Sequence, residues 1–304
     1  MGTPYFAVPS LEALIKAGYD VAAVVTRQDK PRGRGLSLVQ SPVKEAALKH
    51  GIAVLEPPSM RDEAFKEALR SISPDVIAVV AYGKILPQSI LGLPPKGCVN
   101  LHASLLPKYR GAAPINWAII NGEKTTGVTT MLMDKGMDTG PMLLKEETPI
   151  GEDETADSLG RRLSEIGSRL LSETIRRVLE GSAEPVSQDE REASCAPILK
   201  KEDGRIDWKK EARLVKCLIR GVVPWPGAHT GWRDSLLKIH SGLAIDADTG
   251  QAPGTITGLS KEGIEVECGK GTFIITGLQP ENRKKMAAAE FIQGYRIVKG
   301  ERFC

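Results

Sequence analysis

Short apolar runs alternate with segments of helical spacing through the first half of the chain. Residues 21–26 and 76–81 are nearly continuous apolar runs, which are typical of strands buried on both faces. Between them, Ser41 and Pro42 predict a helix start, because Ser is a good N-cap and Pro suits the first helical position. This alternation indicates an α/β domain with a mostly parallel sheet. Ligands of such sheets bind beyond the carboxyl ends of the strands.

The pattern changes after a long helical segment that Gly181 ends. The residues that follow are polar and without a clear period, and short segments punctuated by Gly and Pro come next. Such segments are typical of a small antiparallel barrel. We therefore predict a Rossmann-like, mostly parallel α/β domain at residues 1–183, a linker at 184–203, and a small OB-like β-barrel domain at 204–304.

The cysteines and histidines argue against a disulfide framework and against a metal site. The five cysteines are scattered and never form a C-x-x-C pair, and the four histidines lack H-x-x-x-H spacing. No apolar run approaches the roughly 18 residues of a membrane span, and the first residues lack the pattern of a signal peptide. We expect a cytoplasmic protein that binds neither metal nor membrane.

Positive charge is concentrated in the last third of the chain. Residues 195–304 hold 18 Lys and Arg against 13 Asp and Glu, whereas the rest holds 23 against 25. A basic domain on a nearly neutral body favours a polyanionic partner, and nucleic acid is the first choice. A soluble surface that is merely rich in lysine explains the same count.

Asn100 and His102 are the strongest candidates for catalysis. They lie two residues apart at the end of an apolar run, and side chains two apart on a strand point to one face. Asp138 follows in a Gly-Met-Asp-Thr-Gly turn. An amide can stabilise an oxyanion, an imidazole can move protons and a carboxylate can orient it, which suits transfer of an acyl-type group. Satisfied strand-end residues and a structural turn are the alternative.

Three further segments allow a binding role or an ordinary structural one. Residues 104–111 form a loop fixed by Pro and Gly, whose backbone could hold a polar heterocycle or simply connect two elements. Residues 29–35 are a basic, Gly-rich loop that could contact phosphate or be solvated. Residues 224–227 could stack Trp225 on a base, although packing at a barrel entrance is the simpler reading. Neither an ATP phosphate loop nor a dinucleotide fingerprint is present.

Three motifs resemble the methionyl-tRNA formyltransferase family of 10-formyltetrahydrofolate-dependent enzymes. They are N-L-H-A-S-L-L-P at 100–107, Y-R-G-A-A-P-I at 109–115 and D-K-G-M-D-T-G at 134–140, and the likeness runs nearly end to end. The resemblance implies Asn100, His102 and Asp138 as the catalytic residues. It implies a folate site formed by Ser104, Leu105, Leu106, Pro107, Tyr82, Gly83, Ile85 and Leu86. The Asn, His and Asp pattern is common to all 10-formyltetrahydrofolate-dependent formyltransferases, so it indicates the chemistry more firmly than it indicates the acceptor.

The acceptor is indicated by two basic features. The resemblance implies that the loop with Gly-Arg-Gly at 33–35 enters the acceptor stem of methionyl initiator tRNA. It also implies that the C-terminal barrel braces the tRNA. Our candidate tRNA contacts are Arg32, Arg34, Lys200, Lys201, Lys209, Lys210, Arg213, Lys216 and Arg220. Glycinamide ribonucleotide formyltransferases resemble the first domain alone. An amino-sugar nucleotide remains the alternative acceptor, although enzymes for it lack that loop. We expect a monomer.

The start of the sequence departs from the resembled family. There an apolar strand precedes the Gly-Thr-Pro segment, whereas here Met1 directly precedes Gly2. That strand lies inside a doubly wound sheet, and its absence would leave ladder groups unpaired at a cost on the order of several kcal/mol. We therefore expect a sheet without its first strand, and a tRNA-binding protein without catalytic activity is a third reading.

Overall fold

The computed structural model describes residues 1–32 and 37–304 and divides the chain into two compact units. The first unit comprises residues 1–114, 125–149 and 160–197, and the second comprises residues 115–124, 150–159 and 198–304. The strands are β1 Val24–Val25, β2 Lys30–Arg32, β3 Ser37–Val39, β4 Val54–Leu55, β5 Ile77–Val80, β6 Cys98–His102, β7 Thr125–Leu132, β8 Met142–Pro149, β9 His229–Trp232, β10 Ser235–Ile245, β11 Ile256–Leu259, β12 Ile264–Glu267, β13 Thr272–Pro280 and β14 Met286–Ala287. The helices are α1 Val8–Lys16, α2 Pro42–Lys49, α3 Glu63–Ile72, α4 Gln88–Leu91, α5 Pro114–Ile120, α6 Ala156–Glu180, α7 Ala212–Gly221 and α8 Ala288–Tyr295.

The sheet of the first unit starts parallel and ends antiparallel. β1 pairs with β4 and β5 pairs with β6 in parallel, whereas β7 runs antiparallel to both β6 and β8. The predicted α/β architecture is confirmed. The reversal after β6 was not predicted, because a strand shows its own burial pattern but not the direction of its neighbours.

Met1 and Gly2 join the two parallel pairs. The Gly2 N–H donates to Val25 O at 3.0 Å, and the Val80 N–H donates to Met1 O at 2.9 Å. Gly2 thereby forms a parallel bridge with Val80. A cavity of about 340 Å³ lies beside these two residues and is lined mainly by residues 19–25 and 72–78.

Local side-chain caps set the starts of two helices in the first unit. The Ser41 hydroxyl accepts a hydrogen bond from Lys44 N at 3.1 Å, and the Asp62 carboxylate accepts one from Phe65 N at 2.8 Å. Each cap satisfies a backbone donor that the first turn leaves unpaired. The helix start predicted at Ser41 and Pro42 is confirmed at α2.

The second unit is built on one antiparallel sheet. Its strand order is β11, β12, β13, β10 and β9, and β14 pairs with β13. In the part of the chain that the structure describes, the first and last strands of this order are not paired, so the barrel is a curled half-barrel. One core cluster joins the sheet to α7 and α8, and Phe273 and Phe291 are completely buried in it.

The segment predicted as a linker is divided between the two units. Residues up to 197 belong to the first unit, and those from 198 belong to the second. Val186 and Met142 exchange two backbone hydrogen bonds of 2.8 Å, and the Ala196 N–H donates to Arg110 O at 2.7 Å. Backbone pairing with distant residues orders this stretch, and its polar composition gave no sign of that.

Among the helices of residues 1–32 and 37–304, none is both long and apolar enough to cross a membrane.

Candidate active site

Strand β6 delivers the two central side chains. It is buried along its whole length and lies between β5 and β7. Leu101 points the other way, since a β-carbon built on Gly167 of α6 would lie 2.6 Å from Leu101 Cδ2. The two-residue period therefore places Asn100 and His102 together on the face away from α6.

The hydrogen bonds of His102 define its tautomer. Its Nε2 lies 2.9 Å from the Tyr109 carbonyl, which can only accept, so Nε2 carries a hydrogen. In the neutral ring Nδ1 is then unprotonated, and it lies 3.6 Å from Asp138 Oδ2. The ring can thus take a proton at Nδ1, beside a carboxylate that stabilises the resulting cation.

Asp138 is held on both sides of its turn. Its Oδ2 accepts a hydrogen bond from the Gly111 N–H at 2.8 Å, and its backbone has φ of 57°. Gln188 Nε2 donates to the carbonyls of Asp138 at 2.8 Å and Gly140 at 2.7 Å. Asp is among the residues that tolerate this left-handed conformation, and the contacts from Gly111 and Gln188 keep the carboxylate near His102.

Arg110, which directly precedes Gly111, supports the Asp138 turn through Gln188. Its guanidinium donates to Gln188 Oε1 at 2.8 and 3.0 Å and forms a bidentate pair with Glu190 at 2.8 Å. Hydrogen bonding to Glu190 raises the pKa of Arg110 above its usual value. Gln188 and Glu190 were missed by the sequence analysis, since they lie about 80 residues further along with no local signal.

Asn100 lies in the sheet with its side-chain amide free. The residue is 9% exposed, and no group in the described part of the chain makes a hydrogen bond to that amide. Neither atom of this amide is among the fully buried polar atoms that lack a partner, so the amide reaches the surface and can donate a hydrogen bond to a ligand there. The alternative of an amide satisfied by local hydrogen bonds does not hold here.

The loop that follows β6 is fixed by side chains that turn inward. Ser104 Oγ donates to Lys108 O at 2.6 Å, and Thr129 Oγ1 donates to Ser104 O at 2.7 Å. Leu106 N donates to the same hydroxyl at 3.1 Å, and the Leu106 side chain is 1% exposed. The peptide bond between Leu106 and Pro107 is cis. Residues 104–107 therefore offer a preformed backbone at the end of β6.

The segment that follows β5 separates into core and surface. Tyr82 and Leu86 are 2% and 4% exposed and belong to a core cluster, and burial raises the pKa of Tyr82 to about 12. Ile85 is 83% exposed, and Gly83 has φ of 70° with its carbonyl accepting from Arg27. Ile85 and the Gly83 backbone are thus the parts of this segment that a ligand can reach.

The predicted tRNA contacts fall into three groups. Lys200, Lys201, Lys209 and Lys210 are exposed. The others are already engaged: Lys216 pairs with Asp153 at 2.7 Å, Arg213 lies 3.8 Å from Glu211, and Arg220 donates to the carbonyls of Gly151 and Glu154 at 3.0 and 2.9 Å. Arg32 ends β2, and Arg34 lies outside the described residues.

The described residues contain no group of three or more His, Cys, Asp or Glu side chains placed to hold a metal ion.

An amide and an imidazole on a strand of an α/β sheet, with a carboxylate in a nearby turn, form an arrangement that suits acyl-type group transfer. The chain belongs to the formyl transferase family. The model of the family's formyl transferase domain matches residues 1–175, and that of its C-terminal domain matches residues 198–296.

Similar proteins cover the chain almost completely. The methionyl-tRNA formyltransferase of Caldanaerobacter subterraneus subsp. tengcongensis is 51% identical over 301 residues, which are 99% of this chain and 97% of the relative. That of Citrifermentans bemidjiense is 49% identical over 99% of this chain and 94% of its own. Among solved structures, the sugar 3N-formyl transferase WlaRD has a TM-score of 0.69 at 21% identity and covers 93% of this chain and 97% of its own.

Proposed function

We propose that this chain transfers the formyl group of 10-formyltetrahydrofolate to the amino group of methionyl initiator tRNA, for translation initiation. The observation that carries the proposal is an identity of about 50% over 99% of the chain with relatives named for this activity. The sugar formyltransferases are 20% and 21% identical, a likeness that extends to the fold alone.

Asn100 stabilises the negative charge that develops on the formyl oxygen. Its amide has no partner in the described protein, so it can donate without breaking another hydrogen bond. A preorganised donor in a buried site loses little to reorganisation and contributes about 10²–10³-fold to the rate.

His102 moves protons, and Asp138 supports it. With Nε2 donating to the Tyr109 carbonyl, Nδ1 is the atom that accepts a proton from the attacking amine and returns it toward the leaving nitrogen. Asp138 stabilises the charged ring from 3.6 Å, a separation that a water molecule or a small closure can bridge.

The residues present fit a folate. The formyl group that its nitrogen carries is an activated acyl group, and the protein would hold this formyl group beside Asn100. The backbone of Ser104, Leu105, Leu106 and Pro107 is preformed at the end of β6, and Ile85 offers an exposed apolar surface beside Gly83. Tyr82 and Leu86 support this surface from the core beneath.

The tRNA is held by positive charge. The exposed side chains of Lys200, Lys201, Lys209 and Lys210 suit phosphate contacts, and the resemblance adds Arg32 and Arg34 at the acceptor stem. Arg213, Lys216 and Arg220 complete the proposed set, although each must exchange a present partner for a phosphate. The enzyme works in this proposal as a cytoplasmic monomer.

The experiment that tests this function follows formyl transfer from 10-formyltetrahydrofolate with purified chain. Charged methionyl initiator tRNA is compared with uncharged tRNA and with an amino-sugar nucleotide. Transfer confined to the charged tRNA supports the proposal, and transfer to the sugar nucleotide would replace it. Retention of nearly full turnover by Asn100→Ala would contradict the role given to the amide.

A further inference from the structure

His240 lies on the outer face of the C-terminal sheet, beside a β-bulge in β10. Leu237 and Ile239 are buried, so the two-residue period of the strand places His240 on the same face as Lys238. The register with β13 shifts between Ile239 and Ser241, which leaves His240 as the extra residue. His240 Nε2 lies 3.2 Å from Gln279 Oε1. The amide oxygen can only accept, so Nε2 donates this hydrogen bond and Nδ1 takes no part in it.

Two lysines lie beside this histidine. Lys238 is exposed between Leu237 and Ile239, which are 1% and 2% exposed, so it points to the outer face. The side chain of Lys285 passes over Gly277, since a β-carbon built on that glycine would lie 3.7 Å from Lys285 Cε. Gly277 pairs with Ser241 across the strands, which brings Lys285 to the bulge.

The neighbouring hairpin adds positive charge. Arg283 and Lys284 are exposed, and Gln279 Nε2 donates to Arg283 O at 2.7 Å, which ties the hairpin to the bulge. Residues 276–285 contain one carboxylate, that of Glu281. Within the described residues, none of these four cations forms an ion pair.

The contrast with helix α7 is direct. Lys216 is neutralised by Asp153, and Arg220 holds the backbone of residues 151–154 in place. A cation that is already paired must exchange a present partner for a phosphate, which reduces the net gain from each such contact. Unpaired lysines instead release counterions when they meet a polyanion.

We propose that Lys238, His240 and Lys285, which we call the bulge patch, contact the phosphate backbone of the acceptor tRNA. The inference rests on the proposed function and gives the partner a second surface that the sequence analysis did not assign. RNA is favoured over other anions because several spaced, unpaired cations on one exposed sheet face match a phosphate chain rather than one bound ion.

Protonation of His240 links this contact to pH. Burial lowers the pKa of His240 in the free protein, and Lys285 and Lys238 lower it further, while its hydrogen bond to Gln279 raises it. A phosphate beside the ring raises the pKa again, so binding takes up a proton at Nδ1. Because the bound state holds more protons, the affinity for tRNA increases as the pH falls.

The test measures binding of uncharged initiator tRNA to the full chain as a function of salt, with no formyl donor present. The double variant Lys238→Gln and Lys285→Gln is compared with Lys261→Gln and Lys299→Gln, two exposed lysines elsewhere in the unit. We expect the first pair to weaken binding about ten-fold and to lower the salt slope by about two. The control pair leaves the slope nearly unchanged.

Three outcomes would overturn the bulge patch. The two double variants binding tRNA alike, with unmodified chain binding well, would remove the patch and leave the proposed function intact. Loss of binding to phosphatidylserine vesicles but not to tRNA would assign it to membranes. Unmodified chain that neither binds nor formylates tRNA would contradict both proposals. His240→Gln separates the histidine, since it should abolish pH dependence between about pH 5.5 and 7.5.

Discussion

His102 Nδ1 and Asp138 Oδ2 lie 3.6 Å apart, and that oxygen already accepts a hydrogen bond from Gly111 N at 2.8 Å. The separation exceeds that of a hydrogen bond, so the carboxylate acts on the ring through its charge in this state of the site. The same carboxylate therefore holds a loop and places a negative charge beside the imidazole ring.

Asp138→Asn separates these two roles. The amide oxygen can still accept from Gly111 N, so the turn keeps its shape while the negative charge disappears. We expect kcat to fall by about 10²–10⁴-fold, because the protonated form of His102 loses its support. Steady-state kinetics and thermal unfolding check this together, and an unchanged kcat in a folded variant would exclude the charge from the mechanism.

Asn100→Ala should damage the rate and spare the fold. The amide has no partner in the described protein, so its removal leaves no group unsatisfied. We expect kcat to fall by about 10²–10³-fold, with a change in unfolding free energy below about 1 kcal/mol. Denaturant unfolding beside single-turnover kinetics provides the two numbers. A large loss of stability would instead indicate a structural amide.

Gln188→Ala should misplace the Asp138 turn. Its amide holds the carbonyls of Asp138 and Gly140, and a displacement of about 1 Å in a site can cost about 10²-fold in rate. We expect kcat to fall while the affinity for tRNA stays the same. Gln251→Ala, at an exposed position of the second unit, is the matched control. Equal rates for the two variants would contradict a positioning role.

Gly167→Ala should destabilise the first unit. The new methyl would lie 2.6 Å from Leu101 Cδ2, and Leu101 is 3% exposed with little room to move. Overpacking of this kind costs about 1–3 kcal/mol. Gly294→Ala in α8 meets nothing within 4 Å and should be neutral or stabilising by up to about 1 kcal/mol. Chemical denaturation compares the two, and equal effects would refute the packing argument.

Thiol reactivity should divide the five cysteines. Cys195 and Cys304 are exposed, whereas Cys98, Cys217 and Cys268 are buried. Burial raises the pKa of Cys98 to about 11 and that of Cys268 to about 12, so both stay protonated near pH 8. Labelling of the native protein at about that pH should modify two thiols quickly and the rest only after unfolding. Mass spectrometry of the labelled peptides identifies the sites.

Much of the fold could be predicted because the sequence signals for its helices and strands are local. The Ser41 and Asp62 caps lie beside the helices they start, and the apolar run ending at His102 shows a buried strand directly. The short strand β9 was missed, since four residues with Gly and His carry no clear period. Its place is set by pairing with β10.

The geometry of the candidate site was predictable only for residues that lie on one strand. Asn100 and His102 follow from the two-residue period of β6. The contact between His102 and Asp138 and the support from Gln188 join residues 36 to 50 positions apart. Such contacts depend on how strands are ordered in the sheet. For the same reason composition predicted a linker at 184–203, although its first part is bound to Arg110 and Met142.

The pairing of residues 186–196 with the Arg110 loop determines when the site can be completed during synthesis. A ribosome that has made residues 1–183 has released the strand with Asn100 and His102, but not the amide of Gln188 or the carboxylate of Glu190. Until Gln188 and Glu190 have been made, Arg110, which follows Tyr109 in the loop beside His102, lacks the side chains to which it donates. The catalytic geometry of the nascent chain therefore forms late, after the sheet that carries it.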